Sequence, residues 1–157
     1  MLKIGSTSVN REINDLIVEV FRINGQLIST ADKLVSKFGL TGARWQVMGA
    51  LVQTGGRETV ARLAKAMGLT RQSVQRVVNE MVDEGMLRFE ENPQHKRSQV
   101  VRMTSKGEKR FAAALEIQLP WVKALARGIS TKRLVDAKLV LETLRKRVED
   151  EGTAIGT

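Results

Sequence analysis

Apolar residues recur along this chain at helical spacing, with one short block that alternates instead. From about Ser8 to Phe38, positions 13, 17, 20, 24, 27, 31, 34 and 38 step by fours and threes and read Ile, Ile, Val, Asn, Leu, Ala, Leu, Phe. That spacing predicts one helix of roughly 30 residues with a heptad-like seam. Gly25 inside it costs about 1 kcal/mol relative to alanine without breaking it, and Gly39 reads as a left-handed stop. A stripe this long exceeds what a small domain can cover, so the pattern calls for a second chain over part of it. Asn24 is then either a polar register-setter on the seam or a residue at its edge.

The next stretch, "TGARWQVMGALVQTGG", offers Thr41 as an N-cap, a shared face of Trp45, Met48 and Leu51, and Gly55-Gly56 as the close. "TVARLAKAMGLTRQSVQRVVNEMVDEGML" then divides into two capped helices. Thr59 starts a short one with Leu63, Ala64 and Met67 inward, ended by Gly68. Thr70 starts a second with Val74, Val77, Val78 and Met81 inward, ended by Gly85. Two helices across a tight glycine turn have the spacing of a helix-turn-helix. Beyond them the period changes to two. Leu87 and Phe89 alternate, then Val101 and Met103, around "NPQHKRS", which predicts a β-hairpin with Asn92-Pro93 opening its turn. Such a hairpin is a wing. Thr104 or Ser105 caps a further helix through Phe111, Leu115 and Val122, which Pro120 should kink or split. Positions 134, 137, 141, 144 and 148 form a second heptad-like seam, and "GTAIGT" reads as a frayed end.

Composition sharpens this outline. The 157 residues carry a net charge of +9, which draws a protein to polyanions. The charge is uneven: 57–110 holds 12 Lys/Arg against 7 Asp/Glu, and 59–79 and 92–107 contain no acid at all. Two basic contact elements flanking an acidic stretch are expected. Without cysteine, disulfides, thiolate catalysis and Cys-ligated zinc are excluded. No apolar run reaches the length of a membrane span or a signal core, so a cytoplasmic protein without a membrane partner is expected.

The chemistry then falls on two places. The outward positions of the second short helix, Arg71, Gln72, Ser73, Gln75, Arg76 and Asn79, follow the capping Thr70. Arg forks onto guanine and Gln or Asn onto adenine, so these residue types suit base edges; the bland alternative is a solvated helix face. At the hairpin tip, Lys96 and Arg97 could reach phosphates or a narrow minor groove, or merely solubilise a turn. His95, the sole histidine, lacks partners for a metal site and reads as a surface residue. Phe21, Phe38, Trp45, Met48 and Trp121 read first as core, and secondly as walls of a small-molecule pocket. The carboxylate clusters read as solvated surface. No phosphate-binding glycine loop, dinucleotide fingerprint or nucleophile elbow is present. Catalytic, metal and cofactor sites are therefore not expected, and neither is an enzyme.

The stretches "LTGARWQVMGAL", "VARLAKAMGLTRQSVQRVVNEMVDEGMLRFEENP" and "SQVVRMTSKG", in this order, resemble the MarR family (multiple-antibiotic-resistance regulators). The resemblance implies a homodimer whose first and last helices interlock, a palindromic operator as double-stranded DNA partner, and a small, often phenolic, effector that relieves repression. It departs at the wing. Family wings carry an Asp-Arg pair, and those places hold His95 and Lys96 here, with Arg97 next, so the steadying carboxylate is missing. The expected fold is mainly α with a small β-hairpin wing: a winged helix-turn-helix with long N- and C-terminal dimerisation helices. Within one domain, 1–157, the DNA-binding lobe occupies 40–104 and the helical arm 6–38 and 105–150. The function expected is a sequence-specific transcriptional repressor. The rivals are a non-sequence-specific architectural or RNA-binding winged helix, and a protein-interaction module on the same scaffold.

Overall fold

The computed structural model describes residues 8–155 apart from 94, 96 and 97, and the side chains of 153–155 lie outside what it describes. Helix α1 (Ser8–Val35) runs into a 3₁₀ turn (Ser36–Phe38), and α2 (Gly42–Gln53) follows. A two-residue strand, β1 (Arg57–Glu58), precedes α3 (Val60–Met67) and α4 (Arg71–Asp83). The wing strands β2 (Leu87–Glu91) and β3 (Gln99–Met103) lead into α5 (Ser105–Leu125) and α6 (Thr131–Ile155). The chain divides into two compact units, residues 1–117 and 118–157, with α5 crossing from one to the other.

Local chemistry accounts for the helix starts. Thr41, Thr59 and Thr70 each accept a hydrogen bond through their hydroxyl oxygen from the backbone N–H three residues on, at 3.2, 3.3 and 3.2 Å. Each satisfies a donor the first helical turn would leave open. Between α3 and α4 the chain reverses at Gly68, whose φ of 65° favours glycine. That turn sets the two helices against each other, with Leu63 and Ala64 of α3 and Val74, Val78 and Met81 of α4 buried in one core. Val77, expected inward, is half-buried at its margin.

The sheet is antiparallel in the order β1-β3-β2. Leu87 pairs with Met103 and Phe89 with Val101, so the alternating apolar residues of the two strands stand opposite one another. The third strand was not expected. β1 pairs Arg57 with Arg102 and Glu58 with Val101, and two residues are too few to display a period. Val100, on the other face from Val101, is buried too, lining a cleft with Thr59 and Val60.

Two expectations about helix ends are corrected, and one about a proline is narrowed. The first ends at Val35 rather than Phe38, because the last residues tighten into the 3₁₀ turn. Of the two outcomes expected at Pro120, a kink or a split, the split does not occur: α5 continues from Ser105 to Leu125 although proline cannot donate to the carbonyl four residues earlier. The helical assignment of α6 likewise extends through Ile155, beyond the frayed end expected.

Thr104 fastens the wing exit. Its hydroxyl donates to the Gly85 carbonyl at 2.6 Å and accepts from Gly107 N–H at 3.2 Å. Gly107 itself lies so close to the Met86 carbonyl oxygen that any β-carbon would overlap it. Because that obstacle is backbone, Gly107→Ala is expected to destabilise the first unit by about 1–3 kcal/mol. Thermal unfolding should report it as a drop of several degrees; an unchanged midpoint would show that the strand end yields.

Candidate nucleic-acid interface

Thr70 fixes the start of α4, and the helix turns its apolar residues into the core. What remains outward is the polar set. Arg71, Gln72, Arg76 and Asn79 are exposed, and Ser73 and Gln75 half-exposed. Arg71 and Gln72 form no hydrogen bond or ion pair with another described residue. The Gln75 amide donates to Asn79 Oδ1 at 2.9 Å, and Arg76 reaches Glu80 at 3.4 Å. Ser73 is otherwise engaged: its hydroxyl donates to the Thr70 carbonyl at 2.8 Å, reinforcing the cap.

Beside this face lies a cleft of about 930 Å³, bounded by the start of α3, the side of α4 and the base of the wing. Arg71, Gln75 and Asn79 line it from α4, and Asn92, His95 and Ser98 from the wing. Arg57 and Arg62 also line it, and neither was singled out from the sequence. Arg62 could have been: it stands four residues after Glu58, and the two pair at 3.3 Å. Glu58 is the buried acid among the described residues, accepting from Thr59 N–H at 2.8 Å.

The turn of the wing closes without the missing carboxylate. Asn92 donates through its side chain to Ser98 Oγ at 3.1 Å, His95 N–H to the Asn92 carbonyl at 3.2 Å, and Ser98 N–H to the His95 carbonyl at 2.9 Å. Arg57 braces the wing base, donating to the Glu91 carbonyl at 2.7 Å. Glu90 pairs with Arg88 at 2.8 Å, and that hydrogen bond holds its carboxyl below the usual carboxylate range against the opposing effect of desolvation. Lys96 and Arg97 lie outside the described residues.

The five aromatic and sulfur-bearing candidates for a pocket differ in their surroundings, each within its own unit. Trp45 and Met48 belong to the buried core of the first unit, with Phe38 packed against it. Phe21 is 73% exposed on α1. Trp121 is half-buried in the second unit.

A capped helix pair followed by a two-stranded wing, with β1 completing the sheet, defines a winged helix-turn-helix protein. Residues 38–98 match the model of the MarR family. Over 105 residues the chain is 34% identical to an uncharacterized protein of Mycobacterium tuberculosis strain H37Rv, covering 67% of this chain and 72% of the relative. A mutant of Escherichia coli MarR complexed with operator DNA superposes with a TM-score of 0.71 at 18% identity, covering 88% of this chain and 99% of that one. The organohalide-sensing regulator RdhR in its 2,4-dichlorophenol-bound form gives 0.72 at 19% identity, covering 94% and 88%. The chain belongs to the MarR family of transcription regulators, proteins that at the family level are not enzymes. Among the described residues no helix is long and apolar enough to cross a membrane.

Proposed function

We propose that this protein is a homodimeric, sequence-specific transcriptional repressor that binds a palindromic operator and is released by a small aromatic or phenolic effector. The observation that carries the reading is the outer face of α4, acid-free from Arg71 to Asn79 and flanked by the cleft that opens toward the wing. Arg71, Gln72, Gln75, Arg76 and Asn79 read base edges or adjoining phosphates, Thr70 and Ser73 hold the helix start, and Lys96 and Arg97 enter the flanking groove. Two such helices must stand about 34 Å apart to meet successive major grooves. The apolar residues exposed on α1, among them Ile17, Val20 and Leu27, and on α6, among them Leu134 and Leu141, supply surface for a second copy. Within this reading the helical arm is 6–38 with 105–150, and the lobe 40–104.

The effector part rests on the dichlorophenol-bound relative. In this reading the candidate effector contacts are the five expected from the sequence, Phe21, Phe38, Trp45, Met48 and Trp121. An effector acts by binding one spacing of the two lobes better than the other.

Selection of bound duplexes from a random pool at physiological salt, with and without phenolic ligands, tests the whole reading. A recovered palindrome with half-sites about one helical turn apart is the expected outcome. Flat recovery would instead favour a non-specific architectural protein, for which the charge of +9 would suffice. A finer result concerns the wing tip. Lys96→Ala with Arg97→Ala is expected to lower the slope of log affinity against log salt by about 1–2 per subunit, since each phosphate contact contributes about 0.9. An unchanged slope would remove both residues from the interface.

A further inference from the structure

The recognition face ends in an acid. Glu80 shares the shallow outer surface of α4 with Arg71, Gln72, Arg76 and Asn79. A carboxylate there has two consequences for a helix that meets phosphates: it repels the backbone, and it holds Arg76, which it already reaches at 3.4 Å. Something must offset that charge if α4 is to bind a polyanion well.

Arg44 is placed to do so. It sits in the first turn of α2, positioned by the Thr41 cap, and its side chain is only 16% exposed. The guanidinium forks onto Glu84, with Nη2 to Oε1 at 2.6 Å and Nη1 to Oε2 at 3.0 Å. Nη2 also faces Glu80 Oε2 at 3.6 Å, on the oxygen opposite the one that Arg76 approaches. Nη1 donates in addition to the Gly39 carbonyl at 3.3 Å, in the turn that follows α1. The same turn is held by Asp32, which accepts from Gly42 N–H at 2.6 Å, and by Arg110, which donates to the Phe38 carbonyl. Lys106 donates to the Glu84 backbone carbonyl at 2.6 Å. One planar cation, charged at every accessible pH, thus spans from the end of α1 to the last turns of α4.

We propose that Arg44 is a positioning residue of the DNA-binding face, which masks Glu80 and so leaves Arg76 free for the nucleic acid. The inference rests on the DNA-binding reading of α4. In the free protein Glu80 is shared between two arginines, and on binding Arg76 transfers to the phosphate or base while Arg44 retains the carboxylate. Because Arg44 also grips the Gly39 carbonyl, displacement of that turn loosens its hold on Glu80 and returns Arg76 to it. Arg44 thus couples the turn after α1 to the recognition helix, beside the separate tie from Lys106 to the Glu84 carbonyl.

A cycle of four proteins tests this: wild type, Arg44→Met, Glu80→Gln and the double variant, each titrated on its selected duplex and on random duplex at low salt. Arg44→Met is expected to weaken binding about tenfold, and the double variant to recover to within about threefold of Glu80→Gln, a non-additive result. Recovery without any rise in the melting midpoint over Arg44→Met distinguishes masking from bracing, since relief of repulsion between Glu80 and Glu84 would raise that midpoint. A double variant as weak as Arg44→Met overturns the proposal. Should Arg44→Met fail to fold by circular dichroism, Glu80→Gln alone decides. A masked acid predicts a change of less than about twofold, and tightening by about fivefold or more would mean that Glu80 is not masked. The two duplexes separate this proposal from the function it rests on. Loss of preference for the selected site overturns the regulator, while rescue on random duplex still upholds masking.

Discussion

Alanine at both Arg71 and Arg76 is expected to weaken binding to the selected operator by about two to three orders of magnitude. An arginine that forks onto a base or clamps a phosphate contributes about 1–3 kcal/mol, and about 1.4 kcal/mol is a factor of ten. Both residues are available for such contacts. Arg71 occupies the first position of α4 and has no partner among the described residues, and Arg76 is tied only to Glu80, across an exposed pair. Neither contributes to the core, so the folded state should be little affected: exposed pairs of this kind are worth about 0–1 kcal/mol. Fluorescence anisotropy on the operator and on a scrambled duplex, beside a thermal melt, separates the possibilities. Equal loss on both duplexes would make the two residues phosphate contacts without a role in reading sequence. A loss under about fivefold on either would take them off the interface.

The parts of this interface that were legible in the sequence are those governed by short-range chemistry. Thr59 and Thr70 each open a stretch whose apolar residues fall at helical spacing, and a threonine there caps as a local matter. Leu87, Phe89, Val101 and Met103 alternate, and alternation fixes the register of a pair of strands. What was hidden depends on partners far apart along the chain. Arg44 and Glu84 are 40 residues apart, and nothing in either neighbourhood marks them as a pair. Arg57 was obscured in a different way, because a strand of two residues has no periodicity and its role is set by β3 and the Glu91 carbonyl. Val100 shows the limit of alternation itself: adjacent to Val101 and so on the opposite face of β3, it is buried as well, lining the cleft with Thr59 and Val60 at the start of α3. The wing tip illustrates a third case. The lack of a carboxylate at the tip was visible, whereas the hydrogen bond from Asn92 to Ser98 joins residues that only the return of the chain brings together.

Helix α1 poses the sharpest test of the dimer, because its apolar residues are exposed within one chain. Ile17 is 39% and Leu27 40% exposed, both on the seam of fours and threes. A surface that a single chain leaves uncovered can be made charged with little effect on that chain's own core. The same charges placed between two chains would be buried without partners, at a cost of several kcal/mol each. Ile17→Glu with Leu27→Glu is therefore expected to give a folded monomer at low micromolar concentration, by light scattering, with the melt of the winged lobe nearly unchanged. Binding should then fall more steeply than for any single contact residue. Two linked lobes gain from effective concentration, commonly a factor of about 10² to 10⁴ over one lobe alone, and a monomer forfeits all of it. Its affinity for a palindrome should match its affinity for an isolated half-site, and that equality is the decisive observation. A variant that remains dimeric would move the shared surface off α1. One that becomes monomeric yet keeps wild-type affinity would mean that a single lobe suffices, and the fixed spacing of two recognition helices would then play no part in how this protein selects its site.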